Sequence, residues 1–372
     1  MITPRISDLV GITGKIAPIH FAESWDNVGL QLGDPVAQTS RIMVALDPGR
    51  PAIEAAIEAR CQLLITHHPF IFTPLKKITA ADETGRLTIL ALKHNLSIIS
   101  LHTNLDIANG GVNDLLAGRL GIQGGEPLKI TGGAEFVKMV LFVPRGFEEK
   151  LLAALSPFMP PIGNYRDCSF QAEGTGRFTP LEGAKPFVGE VGSGHAEPES
   201  RLELLLMKDR IGAAVAALKG VHPYEEPAYD LYPVLNQGAP RGLGRIGHLC
   251  EPVAAGAFAK EVRERLGASG VRLVGDPQRQ VKKVAVCGGS GASLLHDAAR
   301  KGADILVTGD VKYHEAREAE ALGVALLDAG HFATERLMVE GLGAQLKRAL
   351  AGRRFEAEVI EYQGEQEPFS FW

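Results

Sequence analysis

Two passages of the chain repeat one pattern, and that repeat narrows the folds open to it. Residues 44–68 read VALDPGRPAIEAAIEARCQLLITHH and residues 284–310 read VAVCGGSGASLLHDAARKGADILVTGD. Each is a short apolar run, a glycine-containing turn, a helical stretch and a second apolar run, with Thr66 aligned to Thr308. Alternation of this kind makes βαβ units, hence parallel strands with helices on their faces. The spacing predicts strands over residues 41–47 and 62–66, a helix over 51–59 opened by proline, a helix over 87–94 and a strand over 96–101. In the second passage it predicts strands over 284–287, 305–308 and 324–327, with a helix over 292–301. The correspondence reads as an internal duplication.

Between the two passages the pattern changes. Strand-like runs over residues 137–143, 201–207 and 228–234 alternate with helical stretches over 148–155 and 211–219. The order suggests a small ferredoxin-like α+β domain inserted into a loop of the outer one. Glycine-rich borders divide the chain into 1–128, 129–236 and 237–372, the outer segments being two halves of one α/β domain.

At 372 residues, the chain exceeds one ordinary core. A 45% hydrophobic and 22% charged composition is that of a globular protein. The net charge of -5 comes from interspersed signs, which gives no support to binding of nucleic acid or a membrane surface. Cys61, Cys168, Cys250 and Cys287 lack CxxC spacing and read as reduced core thiols. No 18-residue apolar segment or secretory leader is evident, so a cytoplasmic location is expected.

Candidate metal ligands lie at both ends of the chain. His67 and His68 close an apolar run, and Pro69 ends the strand there, so both rings can turn into the crevice at the sheet's carboxyl edge. His331 and Glu335, four apart, share a helix face with the apolar stripe Met338, Leu342 and Leu346, which aims them inward. Asp106 closes the loop HTNLD; alone, it reads equally as an Asx turn or a helix cap. Three imidazoles and two carboxylates suit zinc, iron, manganese or cobalt better than magnesium or copper(I). His102, Asp310 and His314 could orient the ligands or handle protons. GGSG at 288–291 lacks a full nucleotide-binding pattern and reads as a tight structural turn. HPYEEPAYDLYP at 222–233 is dense in aromatics and acids, as a partner-binding loop or a loop feeding an edge strand would be.

SWDNVGLQLG (24–33), ITHHP (65–69), HTNLD (102–106), TGD with a following histidine (308–314) and GHFATE (330–335) together resemble the motifs of the NIF-three-like family. These are the dinuclear-metal proteins known as GTP cyclohydrolase 1 type 2 homologues. The segment around HPYEEPAYD resembles the PII- or CutA-like domain of the long bacterial members. The resemblance implies a toroidal homohexamer with two divalent metal ions per subunit. By motif, His68 and Asp106 would hold one, His67 and His331 the other, and Glu335 would bridge them. Two function classes follow: a metal-dependent hydrolase acting on a nucleotide or related substrate, and a non-enzymatic metal-binding or regulatory scaffold.

Overall fold

The computed structural model describes residues 2–370. The chain forms two compact units, one built from the segments up to Thr131 and from Arg241 onward, the other Gly132–Pro240. The architecture is mixed α/β. Two long strands, Gln123–Pro144 and Tyr229–Ala254, contribute residues to both units.

In the first unit, a five-stranded sheet has the order Gly29–Leu32, Ser97–Ser100, Leu63–Thr66, Arg41–Ala45, Glu358–Glu361. All neighbours are parallel except the edge strand Gly29–Leu32, which runs antiparallel and carries an irregularity between Leu30 and Leu32. Every residue of Leu63–Thr66 and Ser97–Ser100 is buried, as expected of parallel strands covered on both faces. On one face, Leu63, Ile65 and Ile99 meet Ile6, Leu9, Met338, Leu342 and Leu346. On the other, Leu64 and Ile98 meet Ala52, Ile53, Ala56, Leu87 and Ala91. Alternation along the strands thus feeds two separate cores.

The second passage builds parallel strands Gln280–Val286, Ile305–Thr308 and Ala325–Asp328 in the same unit. Arg272–Val274 flanks them antiparallel on one side, and residues 245–254 on the other. Arg245, 2% exposed, donates to the carbonyls of Gly242, Gly244 and Ala108 and pairs with Asp114. A buried guanidinium needs this saturation, because an unpaired one is costly to desolvate.

The other unit pairs Phe136–Pro144 antiparallel with the strand His195–Met207, which in turn pairs with Ser169–Phe178. Met139, Leu141 and Val143 alternate inward, as do Leu202, Leu204 and Leu206. They pack with Leu151 and Leu155 of the helix Glu148–Leu155, and with Ala214 and Leu218 of Ile211–Val221. Strand period two meets helix spacing four in one core. Ser169–Phe178 escapes sequence reading because nearly all its residues are exposed or half-buried, so no apolar alternation marks it.

Two expectations change. HTNLD is not a loop: residues from Thr103 to Ile107 form a short helix, anchored by the Asn104 amide donating to the Ala17 carbonyl at 2.8 Å. Of the four free cysteines, only Cys61 and Cys287 are core residues; Cys168 is half-buried and Cys250 exposed. No described helix is long and apolar enough to cross a membrane.

Candidate metal centre

The first sheet delivers His67 and His68 directly beyond Leu63–Thr66, and His102 and Asp106 beyond Ser97–Ser100. The second sheet delivers Asp310 beyond Ile305–Thr308, and the short helix His331–Glu335 beyond Ala325–Asp328. All lie at carboxyl ends of parallel strands, where open α/β sheets bind ligands.

Each of four imidazoles is fixed through Nδ1. His67 Nδ1 lies 2.8 Å from the Leu101 carbonyl, His68 Nδ1 2.6 Å from Asp47 Oδ1, His102 Nδ1 2.9 Å from Asp26 Oδ1, and His331 Nδ1 2.7 Å from Asp310 Oδ2. An Nδ1–H donated to such acceptors leaves Nε2 with a free lone pair, the form that ligates metal. The Nε2 atoms of His67, His68 and His331 converge on Glu335. Its Oε2 is 3.0 Å from His68 Nε2 and 2.9 Å from His331 Nε2; its Oε1 is 3.7 Å from His67 Nε2. His67 Nε2 is in turn 3.7 Å from Asp106 Oδ1.

Three overlapping groups could each hold a metal ion: His68, His331 and Glu335; His67, Asp106 and Glu335; and His67, His68 and His102. The resemblance pairs His68 with Asp106 and His67 with His331; the distances set His67 by Asp106 and Glu335, and His68 by His331 and Glu335. Successive side chains leave a strand end on different sides, which sends fully buried His67 toward Asp106 and half-exposed His68 toward His331. His102 lies with His67 and His68, its ring centroid 5.3 and 5.8 Å from theirs. Asp310 orients His331. His314 is not brought in: it lies in the first turn of the helix Tyr313–Leu322, exposed, with its ring against Tyr313.

The residues present fit a cation. His67 Nε2 and Asp106 Oδ1 are buried without any hydrogen-bond partner, and a shared positive ion would satisfy both. Titration behaviour agrees. Burial opposes charge on His68, yet bonds to Asp47 and Glu335 outweigh it and lift its pKa to about 10. The bond to Glu335 likewise raises His331 to about 9 against the effect of burial. Burial pushes Asp106 up to about 6, while the imidazoles drive Glu335 well below the usual carboxylate range despite its burial. The carboxylates draw positive charge into the cluster.

The glycine turn makes room for this arrangement. Gly289 has φ +59°, and a Cβ there would sit 2.2 Å from Glu335 Oε1. Its amide donates to Thr334 Oγ1 at 3.0 Å, while Asn113 ties Gly288 to the Asp106 carbonyl. Asp26 and Asp47 were missed from sequence. Asp26 also accepts from the Thr103 amide and hydroxyl, and although burial opposes it, the His102 and Thr103 bonds lower its pKa to about 2. Its position inside SWDNVGLQLG was the available signal.

Fold and site together define an α/β protein whose parallel strands converge on a cluster of histidines and carboxylates able to hold metal. The chain belongs to the Duf34/NIF3 (NGG1p interacting factor 3) family, which matches residues 4–368. It is 41% identical over 364 residues to a Bacillus subtilis protein named GTP cyclohydrolase 1 type 2 homolog, covering 98% of this chain and 97% of that one. A Mycobacterium bovis protein of the same name is 35% identical, covering 89% and 88%. Among solved structures, a Bacillus cereus protein related to NIF3 superposes with TM-score 0.94 at 37% identity, covering 100% of both chains.

Proposed function

We propose that the chain binds two divalent metal ions and acts as a metal-dependent hydrolase on a nucleotide or related substrate. The observation that carries this is the Glu335 carboxylate, whose Oε2 faces His68 and His331 while Oε1 faces His67, which in turn faces Asp106. One carboxylate thus spans two donor sets. The mixed imidazole and carboxylate donors suit zinc, iron, manganese or cobalt. A divalent cation, when bound, acidifies water and polarises a substrate oxygen.

This chain's residues supply the rest. Asp47, Asp310 and the Leu101 carbonyl hold three imidazoles in register, and Asp26 holds His102 with Nε2 left to take or deliver a proton. Trp25 and Phe72, 59% and 54% exposed with ring centroids 6.0 Å apart, offer flat apolar surfaces beside His102. A planar base would stack there. The names carried by the relatives point to a guanine nucleotide as the first substrate to try.

The finer architecture belongs to the same proposal. Thr66 and Thr308 both close buried parallel strands, which supports reading the outer unit as a duplication. The strand and helix order of Gly132–Pro240 supports a PII- or CutA-like insert. We expect a homohexamer, and the free thiols support residence in the cytoplasm.

The test is to purify the protein with its native metal and assay it against GTP, other nucleotides and a phosphodiester panel beside Glu335→Ala. Loss of both metal and turnover in the variant supports the reading. Loss of metal with no turnover by either protein leaves a metal-binding scaffold instead. Light scattering tests the hexamer; a monomer at micromolar concentration contradicts it.

A further inference from the structure

The HPYEEPAYD segment helps to wall a second site, remote in chemistry from the histidine cluster. Within the unit Gly132–Pro240 lies a cavity of about 780 Å³, a size that takes small organic ligands. Phe142, Phe178, Phe187 and Tyr224 line it, with Tyr224 centroids 5.7 Å from Phe178 and 6.3 Å from Phe187. Into this aromatic wall projects Glu199, 6% exposed. Its hydrogen-bond partner is a neutral phenol, Tyr224, donating to Oε1 at 2.8 Å. Burial and the neighbouring carboxylate raise the Tyr224 pKa, which keeps the phenol a donor. No cation pairs with Glu199 among the described residues.

The opposite strand is shaped to admit this carboxylate. A Cβ on Gly176 would stand 2.1 Å from Glu199 Oε2, so only glycine there makes room for that oxygen. A buried carboxylate without a counter-charge is costly, and aromatic faces attract cations through their negative π surfaces. The rest of the lining does not reverse the sign: Glu173 and Glu226 are paired with Arg145 and Lys219, Arg201 with Glu203, and Glu225 stands against Arg177, so Glu199 sets the balance. An anionic nucleotide is disfavoured by the same charges.

We propose that this cavity is a binding site for an organic cation, a flat or apolar body carrying an amidinium, guanidinium or protonated amine that pairs with Glu199. The site is independent of the metal reading.

Isothermal titration of the full chain with benzamidine, and with neutral benzamide as its isostere, tests it. Benzamidine is expected to bind saturably and at least about tenfold more tightly than benzamide, as a charge-assisted bond in a desolvated site implies. Glu199→Gln should abolish that preference while thermal melting reports whether it folds. Phe187→Ala, at a half-exposed position that leaves the core untouched, should weaken benzamidine binding on its own. Equal affinity for the two probes, no saturable binding of benzamidine, or undiminished binding in both variants would overturn the assignment. So would GTP titrating this cavity in place of benzamidine, with its binding lost in Phe187→Ala.

Discussion

His68 and His331 present their Nε2 atoms to each other at 3.3 Å, each with Nδ1 already bonded to an aspartate. Two lone pairs at that separation repel unless a positive charge lies between or beside them. Stripping divalent metal with a chelator should therefore lower the melting temperature. Returning zinc or manganese should raise it again as stability grows with the logarithm of concentration, by about 2.7 kcal/mol at a hundredfold excess over Kd. His68→Ala should erase the metal-dependent shift. Identical melting curves with and without metal in the parent protein would count against a cation site.

Asp47 touches no other member of the cluster, yet it sets the His68 ring through a 2.6 Å contact. Asp47→Ala is expected to weaken metal binding about 10- to 100-fold, since partners behind a ligating histidine fix its tautomer and direction. Competition with a chromogenic chelator measures this. An unchanged affinity would mean that packing alone holds the ring.

Trp25 stands exposed beside His102, where a stacked base would sit. Stacking contributes about 1–3 kcal/mol per base. Trp25→Ala should raise KM for a nucleotide substrate by about tenfold or more with little change in kcat, and Trp25→Phe should recover most of the loss. A fall in kcat at constant KM would place Trp25 in a different role.

Arg245 is buried, whereas the side chain of its partner Asp114 is 32% exposed. Breaking a buried pair ordinarily costs about 3–5 kcal/mol; hydration of Asp114 trims that to about 2–3 kcal/mol for Arg245→Met. Urea titration of the variant against the parent checks it, with Arg245→Lys falling between them because it keeps charge without the planar fork. Equal midpoints would remove Arg245 from the account of stability.

His222 Nε2 bonds the Phe142 carbonyl and Nδ1 accepts from the Tyr224 amide, an arrangement only the neutral ring can make. Burial, the leading cause, lowers its pKa below 6.5. The unfolded chain then binds the extra proton between the two pKa values. The stabilisation is complete above about pH 6.5 and is lost as pH falls toward the folded value. Melting between pH 7.5 and 5 should show a steeper acid-side loss in the parent than in His222→Gln. Parallel curves would contradict it.

Much of this was legible in sequence because chemistry and fold coincide at strand ends. His67, His68, Asp310, His331 and Glu335 each follow an apolar run directly or by a short turn, so the βαβ pattern already places them at one edge. Asp26 and Asp47 were not legible as partners, since a carboxylate acquires that role only when folding sets it against an imidazole. His314 misled for a related reason: it is four residues from Asp310, but a helix begins at Tyr313 and carries it into solvent. Which neighbours His67 and His68 meet likewise depends on how a strand ends, which residue types do not encode.

The Nδ1 anchors have one more consequence. Three aspartates and a main-chain oxygen hold the rings, and all four belong to the protein itself. The polypeptide's own folding therefore aims these donor atoms, and any ion the cluster took would meet rings already set.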